Sequence, residues 1–141
     1  MKEYMQIAYK EALKAYKKGD VPVGAVIIKN NKVIAKSYNK KEKNNNAILH
    51  AEIDAINKAC KKLKTWHLEN CILYTTLEPC LMCTGAIVQS RINEIYYATE
   101  NKNFGEINNI KKYNKQIKIN SGLLKNESSE LLKKFFKEKR K

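Results

Sequence analysis

The chain has no long hydrophobic run. Its longest mostly apolar stretch, 21–28, is broken by Pro22 and Gly24 and falls far short of the roughly 18 residues that a bilayer span requires. A membrane-spanning helix is therefore excluded. The opening segment MKEYMQIAYKEALKAYKKGD is charged every few residues and lacks an apolar stretch followed by a small-residue cleavage site, so it does not read as a secretory signal. A cytoplasmic location is expected. Arginine is nearly absent: Arg91 and Arg140 are the only two among 28 basic residues, which face 14 acidic ones for a formal charge of +14. Clustered basic residues draw nucleic acid by releasing counterions. A chain crowded with Lys, Asn and Ile is also what AT-rich coding produces, so net charge alone leaves both readings open.

At 141 residues the length fits one domain, 1–141, with a real core. The four cysteines, Cys60, Cys71, Cys80 and Cys83, come without a secretory signal, which argues against disulfides. For the close pair, metal binding or catalysis is the better reading.

Met5, Ala8, Ala12 and Tyr16 recur at helical spacing ahead of Gly19, predicting a helix over about 2–18. VGAVIIK and VIAKSY are β-rich runs joined by Asn30 and Asn31, residues that tolerate the positive φ of a tight hairpin. The polar stretch 39–46 reads as a loop, leading to a helix over about 49–62 that begins at the first histidine. A buried strand is expected over 71–76, then a helix opened by Pro79 at its first position and running to about Ser90. A strand over 93–98, a long loop over 99–115 and a short fifth strand over 116–119 follow. Leu131, Leu132, Phe135 and Phe136 give an amphipathic terminal helix. Helix, hairpin, then alternating helix and strand describe a three-layer α/β/α domain with a five-stranded mixed sheet. Right-handed crossovers put the second and third helices on one face, with their N-termini at the carboxyl end of the central strands.

Two motifs fall at those N-termini: His50-Ala51-Glu52 and Pro79-Cys80-Leu81-Met82-Cys83. A C-x-x-C at a helix start puts both sulfurs on one face and favours their thiolate forms. Two thiolates and a neutral His50 balance the charge of Zn²⁺ and leave a fourth position for water, the pattern of a catalytic zinc. Such a zinc brings the pKa of water to about 7, and Glu52 is placed to move protons between that water and the substrate. This chemistry fits hydrolytic deamination of an amidine-like carbon. Alone, the C-x-x-C is equally a redox pair, half of a structural zinc site or chance, and His50 alone is a core histidine. A four-ligand structural site would draw on Cys60, Cys71 or His67. The two cysteines read as small core residues and His67 as a loop residue.

The blocks DVPVGAV (20–26), NNKVIA (30–35), HAEIDAI (50–56), LYTTLEPCLMCTGAI (73–87) and SRI (90–92), with FF in the last helix, resemble the zinc-dependent cytidine/deoxycytidylate deaminase superfamily. Within it they are most similar to the bacterial tRNA adenosine deaminases, and the match spans nearly the whole chain. The resemblance implies a cytidine-deaminase-like fold and a homodimer with one zinc per subunit. It also implies hydrolysis of the wobble adenosine to inosine in a tRNA anticodon stem-loop, the usual substrate being an arginine tRNA. His50, Cys80 and Cys83 match the zinc ligands and Glu52 the proton shuttle.

Asn39 matches an asparagine that contacts the purine edge; read alone it is a turn residue ending a strand. Val23 resembles an apolar residue under the base, and read alone is plain core. Phe135 and Phe136 resemble a tRNA-contacting helix end, against the plainer reading of a core pair before a solvated basic tail. TENKNFG (99–105) resembles the loop that grips the anticodon. There the chain departs from the family, with Asn101 where aspartate is usual. Asparagine donates as well as accepts hydrogen bonds, so weaker discrimination against DNA is expected. Two other functions remain: a free-base or nucleoside deaminase acting on guanine or cytosine with the same groups, and a silent RNA-binding subunit that keeps zinc for stability. The intact Glu52 argues for an enzyme; the basic tail, the FF pair and LEPCLMC argue for tRNA.

Overall fold

In the computed structural model, residues 1–139 are described. Helix α1 (Lys2–Lys17) precedes the hairpin of β1 (Gly24–Lys29) and β2 (Lys32–Tyr38). Asn30 and Asn31 turn that hairpin with φ of 52° and 62°, the twist-matched two-residue connection that the sequence predicts. Next come α2 (Ala51–Leu63), β3 (Cys71–Leu77), α3 (Leu81–Ser90) and β4 (Glu94–Thr99). A 3₁₀ turn at Ile107–Lys112, β5 (Lys118–Ser121) and α4 (Lys125–Lys139) complete the chain. The basic tail expected beyond α4 ends in Arg140 and Lys141, which lie outside the described residues.

The sheet order is β2-β1-β3-β4-β5. Strand β1 runs antiparallel to β2 and β3, whereas β3, β4 and β5 are parallel, so the mixed three-layer α/β/α architecture is as expected. Alternation along β1 separates the two faces: Ala25 and Ile27 join the core under α2 and α3, and Val26 and Ile28 join the core under α1. Small residues let α1 lie directly on the sheet. A Cβ on Gly24 would come within 1.9 Å of the Ala8 carbonyl oxygen, so only glycine permits that approach. Helix α4 packs beside α1, with Phe135 edge-on to Tyr16 and the Tyr16 hydroxyl donating to Glu138 at 2.5 Å.

Four expectations change. Pro79 is not the first helical residue: Cys80, with extended φ and ψ of −74° and −179°, is the N-cap of α3, and Pro79 precedes it. Likewise α2 starts at Ala51 with His50 as its extended N-cap, so Leu49 is outside the helix. The stretch 99–115 is not all loop, because Ile107 and Ile110 are fully buried on one side of a 3₁₀ turn. Their i, i+3 spacing was the available signal. Strand β5 sits two residues later than expected, since pairing with Glu94–Thr99 fixes its register at Glu94 with Lys118.

Candidate active site

Helices α2 and α3 begin side by side, and their caps bring together residues 30 apart in sequence. His50 Nδ1 lies 3.7 Å from Cys80 Sγ and 3.5 Å from Cys83 Sγ. These donor atoms fall within 4.8 Å of one another, and this is the group able to share a metal ion among the described residues. Cys60 and Cys71 are not part of it; Cys71 is buried at the start of β3. His67 is a loop residue, with Nδ1 3.1 Å from Glu69 and its ring stacked on Trp66. The structure therefore brings three potential ligands together, and none of Cys60, Cys71 and His67 joins them as a fourth.

The electrostatics of the cluster follow from its packing. A hydrogen bond with Cys83 holds the Cys80 thiol well below its ordinary value, helped by the one with His50 against the opposing effect of burial. The same shared proton, with burial added, pushes Cys83 up. His50 is raised by its hydrogen bond with Cys80, against burial. Glu52, buried in the first turn of α2 two residues after His50, has its carboxyl raised to about 7 by burial, opposed by backbone hydrogen bonding and by His50.

His50, Glu52 and Cys80 line a cavity of about 380 Å³, a size suited to a small organic group, while Cys83 is fully buried. Val23 and Asn39 line it, as do Asn101 and Phe136. Both Asn39 amide hydrogens are engaged within the protein, toward Asp20 Oδ1 at 3.3 Å and the Val21 carbonyl at 3.2 Å. Its Oδ1 accepts the Lys41 N–H at 3.1 Å, leaving one lone pair on that oxygen. The FF pair is split. Phe136 stands half exposed at the cavity, whereas Phe135 is buried against Tyr16 and does not line it. Consecutive helix positions point about 100° apart, and although the two rings meet edge-on with centroids 5.3 Å apart, Phe135 turns into the core.

Sequence reading singles out the 99–105 loop but names only Asn101 within it, so Lys102 and Phe104 go unassigned; it places Leu132 in the apolar stripe of the last helix, and it misses Lys41 and Glu78 as cavity residues. Glu78 sits inside LEPC, yet its task is visible only in three dimensions. It is buried, and its Oε1 accepts the Asn101 N–H at 3.2 Å, tying the 99–105 loop to the start of α3. A Cβ on Gly105 would lie 2.4 Å from the Glu78 carboxylate, so glycine permits that junction.

Comparison with known proteins agrees with this geometry. The family described as MafB19-like deaminase matches residues 1–140. The chain is 42% identical to a tRNA-specific adenosine deaminase of Bacillus subtilis, over 98% of this chain and 89% of that protein. The chain belongs to the tRNA-specific adenosine deaminase family. A solved structure from work on A-to-I editing by tRNA:A34 deaminases at the wobble position superposes on this member with a TM-score of 0.88 and 35% identity, covering 94% of this chain and all of the other. A guanine deaminase of Bacillus subtilis aligns at 38% identity with a TM-score of 0.68, over 73% of this chain and 69% of that one. No helix among the described residues is long and apolar enough to cross a membrane.

Proposed function

We propose that this deaminase converts the wobble adenosine of a tRNA anticodon to inosine, with an arginine tRNA as substrate and residues 1–141 acting as one domain. The observation that carries the reading is the joint placement of the His50, Cys80 and Cys83 donors beside buried Glu52, with His50, Cys80 and Glu52 lining a base-sized cavity. The names of its relatives supply the adenosine and the tRNA.

The donor set fits zinc. A tetrahedral ion with Zn–S of about 2.3 Å and Zn–N of about 2.0–2.1 Å has N···S edges of about 3.6 Å, and the observed separations are 3.5 and 3.7 Å. His50 Nδ1 and the two thiolates would hold it, and the ion when bound supplies the Lewis acidity that makes hydroxide accessible near pH 7. The remaining work belongs to side chains. Glu52 accepts a proton from the attacking water and returns it to the purine nitrogen next to the reacting carbon. As the C–N bond breaks, Glu52 passes the second proton to the departing amine, so that water and adenosine give inosine and ammonia. Val23 supports the base from below, and the free lone pair of Asn39 Oδ1 accepts from a donor on the nucleoside. Asn101 and Phe136 hold the RNA at the cavity mouth.

We further place the enzyme in the cytoplasm as a homodimer with one zinc per subunit. On α2, Ala51, Ala55, Ile56 and Ala59 are buried in the subunit's own core. On α3, by contrast, Leu81 is 73% exposed, and nearby Tyr113 is 75% exposed; both line a second cavity with Val88. That surface supports the dimer.

The second reading, a free-base deaminase, draws on the partial match to guanine deaminase. Incubating the zinc-loaded protein with an arginine-tRNA anticodon stem-loop, and separately with adenosine, cytidine, cytosine and guanine, decides between them. Inosine formed from the stem-loop alone is the expected result. Turnover of a free base alone would replace the tRNA reading and leave the zinc chemistry standing.

A further inference from the structure

We propose that Phe104 is a stacking platform for the base adjacent to the target nucleotide. The inference rests on the RNA reading above. Phe104 is 71% exposed at the rim of the cavity, so it contributes little to the core. It nevertheless stands on an ordered turn. Its N–H donates to Asn101 Oδ1 at 3.2 Å, and the Gly105 N–H donates to the Asn101 carbonyl at 2.9 Å. That turn is fastened to the start of α3 twice: by the Asn101 N–H on Glu78 at 3.2 Å, and by an antiparallel bridge between Cys80 and Gly105 in which the Glu106 N–H donates to the Pro79 carbonyl at 3.1 Å. The backbone that carries this exposed aromatic ring is thus held in fixed relation to Cys80, which lines the same cavity. Such pre-organisation lowers the ordering cost of binding.

The chemistry of a polynucleotide substrate explains what the ring is for. A base delivered to the floor of a cavity of about 380 Å³ must leave its stack, and its neighbour loses a stacking partner at the same moment. An aromatic face at the cavity mouth restores that contact without reading sequence, because every base has a π-face. Lys102, two residues before Phe104, and Lys41 on the 39–46 loop line the same cavity beside Glu100. The two ammonium groups are available to phosphates on either side of the flipped nucleotide. Phe136 of α4 lines the mouth as well, so the strand passes between two aromatic side chains carried by different elements.

The test uses the zinc-loaded enzyme and anticodon stem-loops carrying 2-aminopurine at either position flanking the target adenosine. Wild-type protein quenches the probe at one of these positions. Phe104→Ala abolishes that quenching and raises KM for the stem-loop by about 5- to 150-fold with a smaller change in kcat, whereas Phe104→Trp retains both. An unchanged melting temperature shows that Phe104→Ala is folded. Wild-type deamination of the stem-loop with quenching and KM unaltered by Phe104→Ala overturns the platform and leaves the tRNA reading intact. Quenching that depends on Phe104 without any deamination upholds the platform and overturns the tRNA reading. Absence of both in the wild type overturns both.

Discussion

The buried carboxylate of Asp20 accepts a hydrogen bond from Asn39 Nδ2 at 3.3 Å, although the two residues are 19 apart in sequence. The same carboxylate takes the N–H groups of Val21, Glu42 and Lys43 at 3.0–3.1 Å, so one side chain fixes both Asn39 and the loop behind it. Asp20→Asn replaces one acceptor oxygen with a donor that faces N–H groups. A loss of about 1–3 kcal/mol is expected, read as a lower urea midpoint, with a raised KM for the stem-loop.

The donor triad and Glu52 separate cleanly by assay. Cys80→Ala and Cys83→Ala should each lose zinc, measured by elemental analysis of the purified protein. Glu52→Ala should retain zinc while turnover falls at least 10²–10⁴-fold, the usual contribution of a positioned acid-base group. Metal loss in that variant would remove the basis for its assignment as proton shuttle.

Asp54 on α2 carries a pH signature. Burial alone would raise its carboxyl, but hydrogen bonds from Lys40, Ser37 and Lys58 prevail and hold it below the ordinary aspartate range. A depressed carboxylate stabilises the fold above its unfolded pKa of about 3.9 and loses that contribution as pH falls through the lower folded value. Asp54→Asn should therefore cost about 1–3 kcal/mol at pH 7, with the gap to wild type closing below pH 4. Urea melts at pH 7 and pH 3 measure this; a gap that persists at low pH would point to packing instead.

Asn101 stands where the resemblance leads one to expect aspartate. Its Oδ1 accepts the Phe104 N–H, a bond that aspartate makes equally well, so the substitution leaves the turn intact and changes only the group offered beyond it. Asn101→Asp should raise the ratio of RNA to DNA deamination rates by about 2- to 12-fold, the worth of one hydrogen bond. An unchanged ratio rejects a role for this residue in sugar discrimination.

The order of elements and the chemical identity of the floor were determined by the sequence alone. Alternation in VGAVIIK, the Asn30-Asn31 turn and the two cap motifs are local signals, set by backbone sterics and by ligand chemistry that requires particular atoms. Tertiary structure decided the rest, because those positions depend on neighbours remote in sequence. Phe135 went to the core because α4 lies against Tyr16, leaving Phe136 as the one ring of the pair that lines the cavity. Strand β5 took its register from β4. Glu78, an ordinary carboxylate in the sequence, became the brace of a loop more than 20 residues away. A buried acceptor finds its partner through the packing that excludes water from around it, and that packing exists only once the sheet and helices have closed over the site.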